Sequence, residues 1–319
     1  MTAALLICVY ALAVARLLPG LLAALTARGM SARLGLAAWL ASMACVLACF
    51  AAALQYLLSA AVTGWPLLAQ AICRSATGHA CPPLVYRGAI LEIPLSAAAL
   101  GGALTAAVLA GQYGRRLQRS RRQTRAHAES ARITGRALPA ASGAVVLDVP
   151  QPAAYCVPGR PPAIVLTAGA LAVLEPAQLT AVIAHEKAHL AGGHHRLVAL
   201  TRALAAILPR VPLFRRGAAE VERLAEMRAD DRAARDFGRP VLVTALLAMG
   251  TGTAIPVLAL AATAQNVTAR VQRLLDPPPR ARHIGNGLAL VAVTLLVAAG
   301  SALIARFAGP LAAHALAVP

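Results

Sequence analysis

Residues 179–196 read LTAVIAHEKAHLAGGHHR. The apolar residues that open this stretch recur with a helical period, which places His185 and His189, four positions apart, on one helix face. Two neutral imidazoles at that spacing can hold one Zn²⁺, and Glu186 can reach the coordination position left to water. The stretch therefore predicts a zinc centre in which Glu186 accepts a proton from the water that attacks a carbonyl carbon.

Two histidines and a water leave one protein ligand to be found, and the sequence offers two alternatives. His195 stands at the third histidine of the pattern HExxHxxGxxH, with Gly192 at its glycine. Glu226 and Asp230 share one helix face in AEMRADD, residues 225–231. There the glutamate could bind the metal while the aspartate orients a ligand histidine. Carboxylates at this spacing more often form a solvated helix face, so spacing alone leaves both alternatives open.

The composition separates a polar middle of the chain from apolar ends. Hydrophobic residues make up 59% of the 319 residues and charged residues only 13%, against about 25% charged residues in typical soluble domains. All of the acidic residues except Glu92 lie between Glu129 and Asp276. The long apolar stretches outside this region predict four membrane-spanning helices, at about residues 3–25, 34–61, 88–111 and 288–305.

These predicted spans divide the chain into three parts. Residues 1–113 would hold three transmembrane helices, residues 114–285 a water-facing domain, and residues 286–319 a final helix with a short tail. The uncharged stretch Val241–Ala264 is broken by glycines and a proline, which favours buried helices of the domain over a further membrane hairpin. The predicted fold class is an α-helical membrane protein with a mainly helical α+β, zincin-like domain between the third and fourth transmembrane helices.

The distribution of arginines predicts which side of the membrane the domain faces. Eight arginines and one acidic residue lie between Gly114 and Arg136, directly after the third predicted span. By the positive-inside rule this side is cytoplasmic, in a multi-pass protein of the plasma membrane. The loop that holds Cys73 and Cys81 would then lie outside, where a disulfide can form. The net charge of +18 does not predict nucleic-acid binding, because aromatic stacking platforms and basic-helix motifs are missing.

The motif HExxH followed by ExxAD at residues 226–230 resembles two types of gluzincin membrane peptidase. These are the HtpX/CAAX-prenyl-protease type and the BlaR/MecR antirepressor type. The resemblance covers about Val145–Ala234, including PAAYCVPG (152–159) and AIVLTAGAL (163–171), which look like the strand pair before HExxH in both. It implies that Glu226 is the third zinc ligand, that Asp230 orients a ligand histidine, and that the edge strand pairs with the substrate backbone.

The helix layout resembles the antirepressor type, because the HtpX type usually has a spanning helix soon after HExxH. This resemblance implies a zinc-dependent endopeptidase with one Zn²⁺ per chain, which cleaves a protein or peptide substrate such as a cytoplasmic repressor. A tail as short as Arg306–Pro319 would hold no extracellular penicillin-binding sensor domain. A membrane-protein quality-control protease and a non-catalytic membrane sensor or scaffold are the alternatives, although an intact Glu186 argues against the scaffold. Candidates for stabilising the oxyanion are His194, His195 and His283, each more typical of a surface histidine.

Overall fold

The computed structural model describes residues 2–27, 31–64, 89–138, 143–159, 161–251, 267–277 and 279–317. These described residues are mostly helical and include a small mixed sheet. Residues 267–275 are helical, and the other helices are α1 (Thr2–Ala27), α2 (Ala32–Gly64), α3 (Ala89–Thr134), α4 (Ala168–Val173), α5 (Pro176–Gly192), α6 (His194–Ile207), α7 (Pro212–Phe237), α8 (Arg239–Thr251) and α9 (Arg280–Ala317). The strands are β1 (Arg136–Ala137), β2 (Ala144–Leu147), β3 (Ala154–Val157) and β4 (Ala163–Thr167).

Within the described residues, four helices are long and apolar enough to cross a membrane: α1, α2, α3 and α9. Large apolar side chains on them point outward, as Leu17, Leu100 and Leu296 show with exposures of 77%, 73% and 71%. A soluble protein rarely exposes apolar patches this extensive, because burying them is favourable in water. These surfaces therefore have the character of lipid-facing helices.

Helix α3 does not end where the third predicted span ends. The prediction placed the end of the span at residue 111 and a domain boundary at residue 113, but the helix runs unbroken from Ala89 to Thr134. Its second half is rich in arginine, glutamine and alanine, which are good helix formers. The change of composition therefore indicates a change from apolar to aqueous surroundings and not a break in the helix. Helix α3 continues from the apolar part of the chain into the domain.

The sheet has the strand order β1-β2-β4-β3. Its central pair, β2 and β4, is parallel, and β3 lies antiparallel to β4 at one edge, with Tyr155 opposite Val165. All five residues of β4 are buried, which explains why this strand reads as a continuous apolar run. The strands proposed within residues 152–159 and 163–171 are β3 and β4, and the second stretch continues into α4.

Helix α7 joins the domain to the apolar helices. A side chain at Gly217 would come within 2.0 Å of Met43 Cε and 3.0 Å of the Trp39 ring, so glycine lets α7 lie directly against α2. Phe214 is fully buried and belongs to the core that these helices share. The first turns of α7 therefore pack against the first half of α2.

Two of the predictions fall wholly or partly outside the described residues. Residues 241–251 of the uncharged stretch Val241–Ala264 belong to α8, in which Leu242 and Ala245 are buried, and the rest of that stretch lies outside the described ranges. The loop with Cys73 and Cys81 also lies outside them.

Candidate metal centre

Helix α5 carries both histidines of the HExxH motif, and its two ends are fixed by local sequence. At the start, Glu175 and Gln178 form a reciprocal capping box around Pro176, which satisfies amide groups that the first turn leaves free. At the end, Gly193 adopts the left-handed conformation with φ +60°, which ends the helix at little cost because glycine has no Cβ. The histidines therefore lie in the last two turns of a well-defined helix.

The ring nitrogens of the two histidines face each other. His185 Nε2 lies 3.1 Å from His189 Nε2, and His185 is only 7% exposed. Two tetrahedral zinc ligands at about 2.1 Å from the ion lie about 3.4 Å apart. The separation of the two nitrogens is therefore close to that of two ligands of one zinc ion.

Glu226 of α7 completes a group of three possible ligands. Its Oε1 lies 3.4 Å from His189 Nε2 and its Oε2 lies 3.5 Å from His185 Nε2. The ligand atoms of these three residues all lie within 4.8 Å of one another. His195 is not among them and instead lines a separate cavity with Arg116. The structure thus brings Glu226, rather than His195, to the histidine pair.

Asp230 lies one turn beyond Glu226 on α7 and is fully buried. Its Oδ1 is 3.1 Å from His185 Nδ1, the distance at which a carboxylate holds the proton on Nδ1 and leaves Nε2 free for a metal. Burial favours the neutral acid, but hydrogen bonds from Arg270 and His185 hold the pKa of Asp230 well below its usual range. Asp230 is therefore ionised, and in this form its oxygens can accept the hydrogen bond from His185 Nδ1.

The two carboxylates stabilise positive charge on His185. Burial works to lower the pKa of His185, but hydrogen bonds with Asp230 and Glu226 raise it to about 9. Burial likewise opposes the charge on Glu226, whose pKa is nevertheless lowered to about 2, chiefly by its hydrogen bond with His185 and by the positive charge of Arg270. The carboxylates that stabilise positive charge on His185 would also stabilise a metal cation, whereas burial lowers the pKa of His189 to about 4 and keeps that ring neutral.

Glu186 is not one of the three possible ligands. It is 9% exposed and interacts with the thiol of Cys156 on β3. Burial raises the pKa of Glu186 to about 7, against the opposing effect of a positive charge on His185. A carboxylate with a pKa near neutrality can both accept and release a proton at physiological pH. Burial also raises the pKa of the Cys156 thiol, to about 12, so the thiol stays neutral.

His194 is part of the centre, although its sequence context is typical of a surface histidine. It is 2% exposed, and its Nδ1 lies 3.0 Å from His189 Nδ1. A side chain at Gly192 would come within 2.3 Å of His194 Nε2, so this glycine leaves room for the ring. Burial lowers the pKa of His194 to about 4, and the neutral ring can accept the proton of His189 Nδ1.

Arg270, which lies in the helical stretch 267–275, is a residue of the centre that the sequence did not predict. It donates two hydrogen bonds to Asp230, at 2.8 Å from Nε to Oδ2 and 2.6 Å from Nη2 to Oδ1. Its Nη1 lies 3.2 Å from Glu226 Oε2. Nothing in the local sequence marks this arginine, because its partners lie about forty residues earlier in the chain. It fixes both carboxylates that face the histidines.

Removing the Arg270 charge should destabilise the domain. Arg270→Gln is expected to lower the free energy of unfolding by about 3 kcal/mol, because it leaves the buried carboxylate of Asp230 without its strongest partner. The matched control is Arg273→Gln, in the same helical stretch, whose partner Asp231 has a side chain that is 40% exposed. That change should cost less than about 1 kcal/mol. Denaturant unfolding in detergent micelles measures both values, and equal losses would contradict the assigned role.

Comparison with known proteins gives a family match for the domain. Residues 116–273 match peptidase family M48, and this region includes the three possible ligands together with Glu186 and Arg270. No curated protein and no solved structure matches the chain. The match does not support the narrower resemblance to the BlaR/MecR antirepressor type that the sequence analysis favoured. Residues 116–273 are therefore similar to a peptidase family M48 domain, in a chain that also carries helices long and apolar enough to cross a membrane.

Proposed function

We propose that this chain is a membrane-embedded, zinc-dependent endopeptidase whose metal ligands are His185, His189 and Glu226. The observation that carries the proposal is the convergence of their ligand atoms within 4.8 Å, with the buried carboxylate of Glu186 beside them. Two imidazole nitrogens and one carboxylate are a set that zinc accepts in peptidases, and three protein ligands leave one position open.

The residues around the centre have distinct roles in this proposal. When bound, the metal supplies Lewis acidity, which lowers the pKa of a water molecule and polarises the scissile carbonyl. Glu186 accepts the proton of the attacking water and passes it to the leaving amine. Asp230 and His194 hold the protons of His185 and His189 on Nδ1, so that both Nε2 atoms stay available.

Strand β3 provides a place for the substrate. Cys156 brings this strand next to Glu186, and β4 is its only partner among the described strands. An extended peptide can add to such an edge through backbone hydrogen bonds, which recognise the backbone rather than a particular side chain. We therefore propose that the enzyme cleaves within extended or unfolded segments of proteins, a mode of binding that suits an endopeptidase.

Metal analysis tests this proposal directly. The purified full-length protein should hold about one zinc ion per chain and should cleave an unfolded protein substrate. Treatment with a chelator removes the metal directly, and the change His185→Ala removes one of its ligands. Both should abolish zinc binding and cleavage, because the attacking water is activated at the metal. Gln123→Ala, at an exposed residue of α3, is the control and should change neither. Full cleavage by metal-free protein would contradict the proposal.

We further propose that the peptidase domain faces the cytoplasm of a plasma-membrane protein, on the basis of the arginines that follow the apolar part of α3. A topology reporter fused at Gln123, which is exposed on α3, should give a cytoplasmic signal. A reporter fused at Thr77 should give an external one. An external signal from the reporter at Gln123 would show that the domain faces the opposite side of the membrane and would contradict this proposal.

A further inference from the structure

A second cavity, of about 390 Å³, lies between α3 and α6. Helix α3 contributes Arg116 and Ser120 to it, and α6 contributes His195 and Arg202. The rest of the lining is apolar, formed by Val198, Ala199, Ala203 and Ala206. We propose that this cavity binds the phosphate headgroup of an anionic membrane phospholipid.

The polar groups of the cavity include two without protein partners. In the described part of the chain, Arg116 forms no ion pair and no hydrogen bond, whereas Arg202 is paired with Glu222. His195 has a buried Nδ1 that no described group contacts by hydrogen bonding. Buried polar atoms are normally satisfied, and an orphan is explained by a water or a ligand. A phosphate group offers acceptors for a guanidinium, a hydroxyl and an imidazole at once.

The cavity lies at the depth of lipid headgroups in the membrane arrangement proposed above. The uncharged stretch of α3 ends near Gly111, and Arg116 follows about 7.5 Å further along the helix. The headgroup layer on each side of a bilayer is about 5–7 Å thick. Arg115 and Arg119 are exposed near Arg116 on α3. Several guanidinium groups therefore lie where phosphates of the bilayer would be.

The apolar wall favours a lipid over a free anion. Ala199, Ala203 and Ala206 lie on the cavity side of α6, and their small side chains leave space that larger residues would fill. A free phosphate ion would use the polar groups but leave this wall in contact with water. The glycerol and upper acyl carbons of a phospholipid would cover it, and burial of apolar surface is favourable.

Lipid titration of the full-length protein in detergent tests the assignment. Native mass spectrometry would measure binding of a short-chain phosphatidylglycerol to wild type, to Arg116→Gln and to Arg125→Gln. The last is a matched control, because Arg125 is also exposed on α3 but lies about 13 Å further from the membrane. Arg116→Gln should bind about tenfold more weakly, as expected for the loss of a charged hydrogen bond, and Arg125→Gln less than about twofold. Equal losses of lipid affinity in the two variants would show that the lipid is attracted by the overall positive charge of α3, and would overturn the proposed site.

Further arms separate the headgroup from its alternatives. Ala199→Leu fills the cavity without changing any charge and should also weaken phosphatidylglycerol binding, by a similar factor. Normal binding by this variant would overturn the proposal.

Phosphatidylcholine should bind more weakly to wild type than phosphatidylglycerol, and equal binding would overturn the proposed selectivity for anionic lipid. Inorganic phosphate should not compete at concentrations similar to those of the lipid, and competition there would indicate a free-anion site. Unchanged zinc content shows that each variant is folded.

Discussion

Replacing Glu186 by glutamine is expected to lower the rate of proteolysis by at least about a hundredfold while the protein keeps its zinc. The amide has nearly the same shape as the carboxylate but cannot accept a proton. Glu186 is not one of the three possible ligands, so the metal should stay bound. Burial raises the pKa of Glu186 to about 7, which means that the pocket disfavours the charge, and a neutral amide should be well tolerated there.

Two measurements on the same preparations decide this prediction. Elemental analysis gives the zinc content, and cleavage of an unfolded protein substrate gives the rate. Lys187→Gln is the control, because this residue is next in the chain but exposed, and it should leave both values unchanged. A Glu186→Gln protein with full activity would remove Glu186 from the mechanism, whereas a protein that loses its zinc would instead give Glu186 a role in metal binding.

The same variant can identify the substrate class in cells. Proteins that accumulate with Glu186→Gln, but not with wild type, are those that the active enzyme removes. Accumulation of many misfolded membrane proteins would indicate quality control. Accumulation of one uncleaved regulatory protein would indicate signalling.

The sequence predicted the parts of the centre that depend on helical spacing. His185 and His189 face each other because they are four residues apart on one helix, and Glu226 and Asp230 share a face of α7 for the same reason. Spacing within a helix is a local property, so it can be read without knowing the fold. Spacing did not decide between Glu226 and His195 as the third ligand, because that depends on how α5, α6 and α7 pack.

The features that the sequence did not predict depend on contacts between distant elements or on small backbone changes. Arg270 reaches Asp230 only because the helical stretch 267–275 packs beside α7. His194 is buried because Gly193 ends α5 and Gly192 leaves space for its ring. The sequence prediction gave only the membrane span at about residues 88–111, because hydropathy indicates which part of a helix lies in the membrane and not where the helix ends.

The two alternatives for the third ligand should respond differently to substitution. Glu226→Ala removes a ligand atom and a negative charge that faces both histidines at 3.4–3.5 Å. It should therefore lower the affinity for zinc by far more than the roughly 10–100-fold expected when an orienting residue such as Asp230 is lost. His195→Ala should have little effect on zinc, because His195 lines the cavity between α3 and α6.

Zinc retention after dialysis against a graded series of chelators orders these three variants in one experiment. The expected order of loss is Glu226→Ala first, Asp230→Ala second and His195→Ala last, with the last close to wild type. Glu226→Gln extends the test, because it keeps the shape and one weak acceptor oxygen but removes the charge, and it should fall between Glu226→Ala and wild type. If His195→Ala lost its metal while Glu226→Ala kept it, the third ligand would be the histidine, and α6 would have to turn His195 toward α5 when zinc binds. The enzyme would remain a zinc peptidase in that case, but the carboxylate of Glu226 would act only through the potential that it creates at the histidine pair.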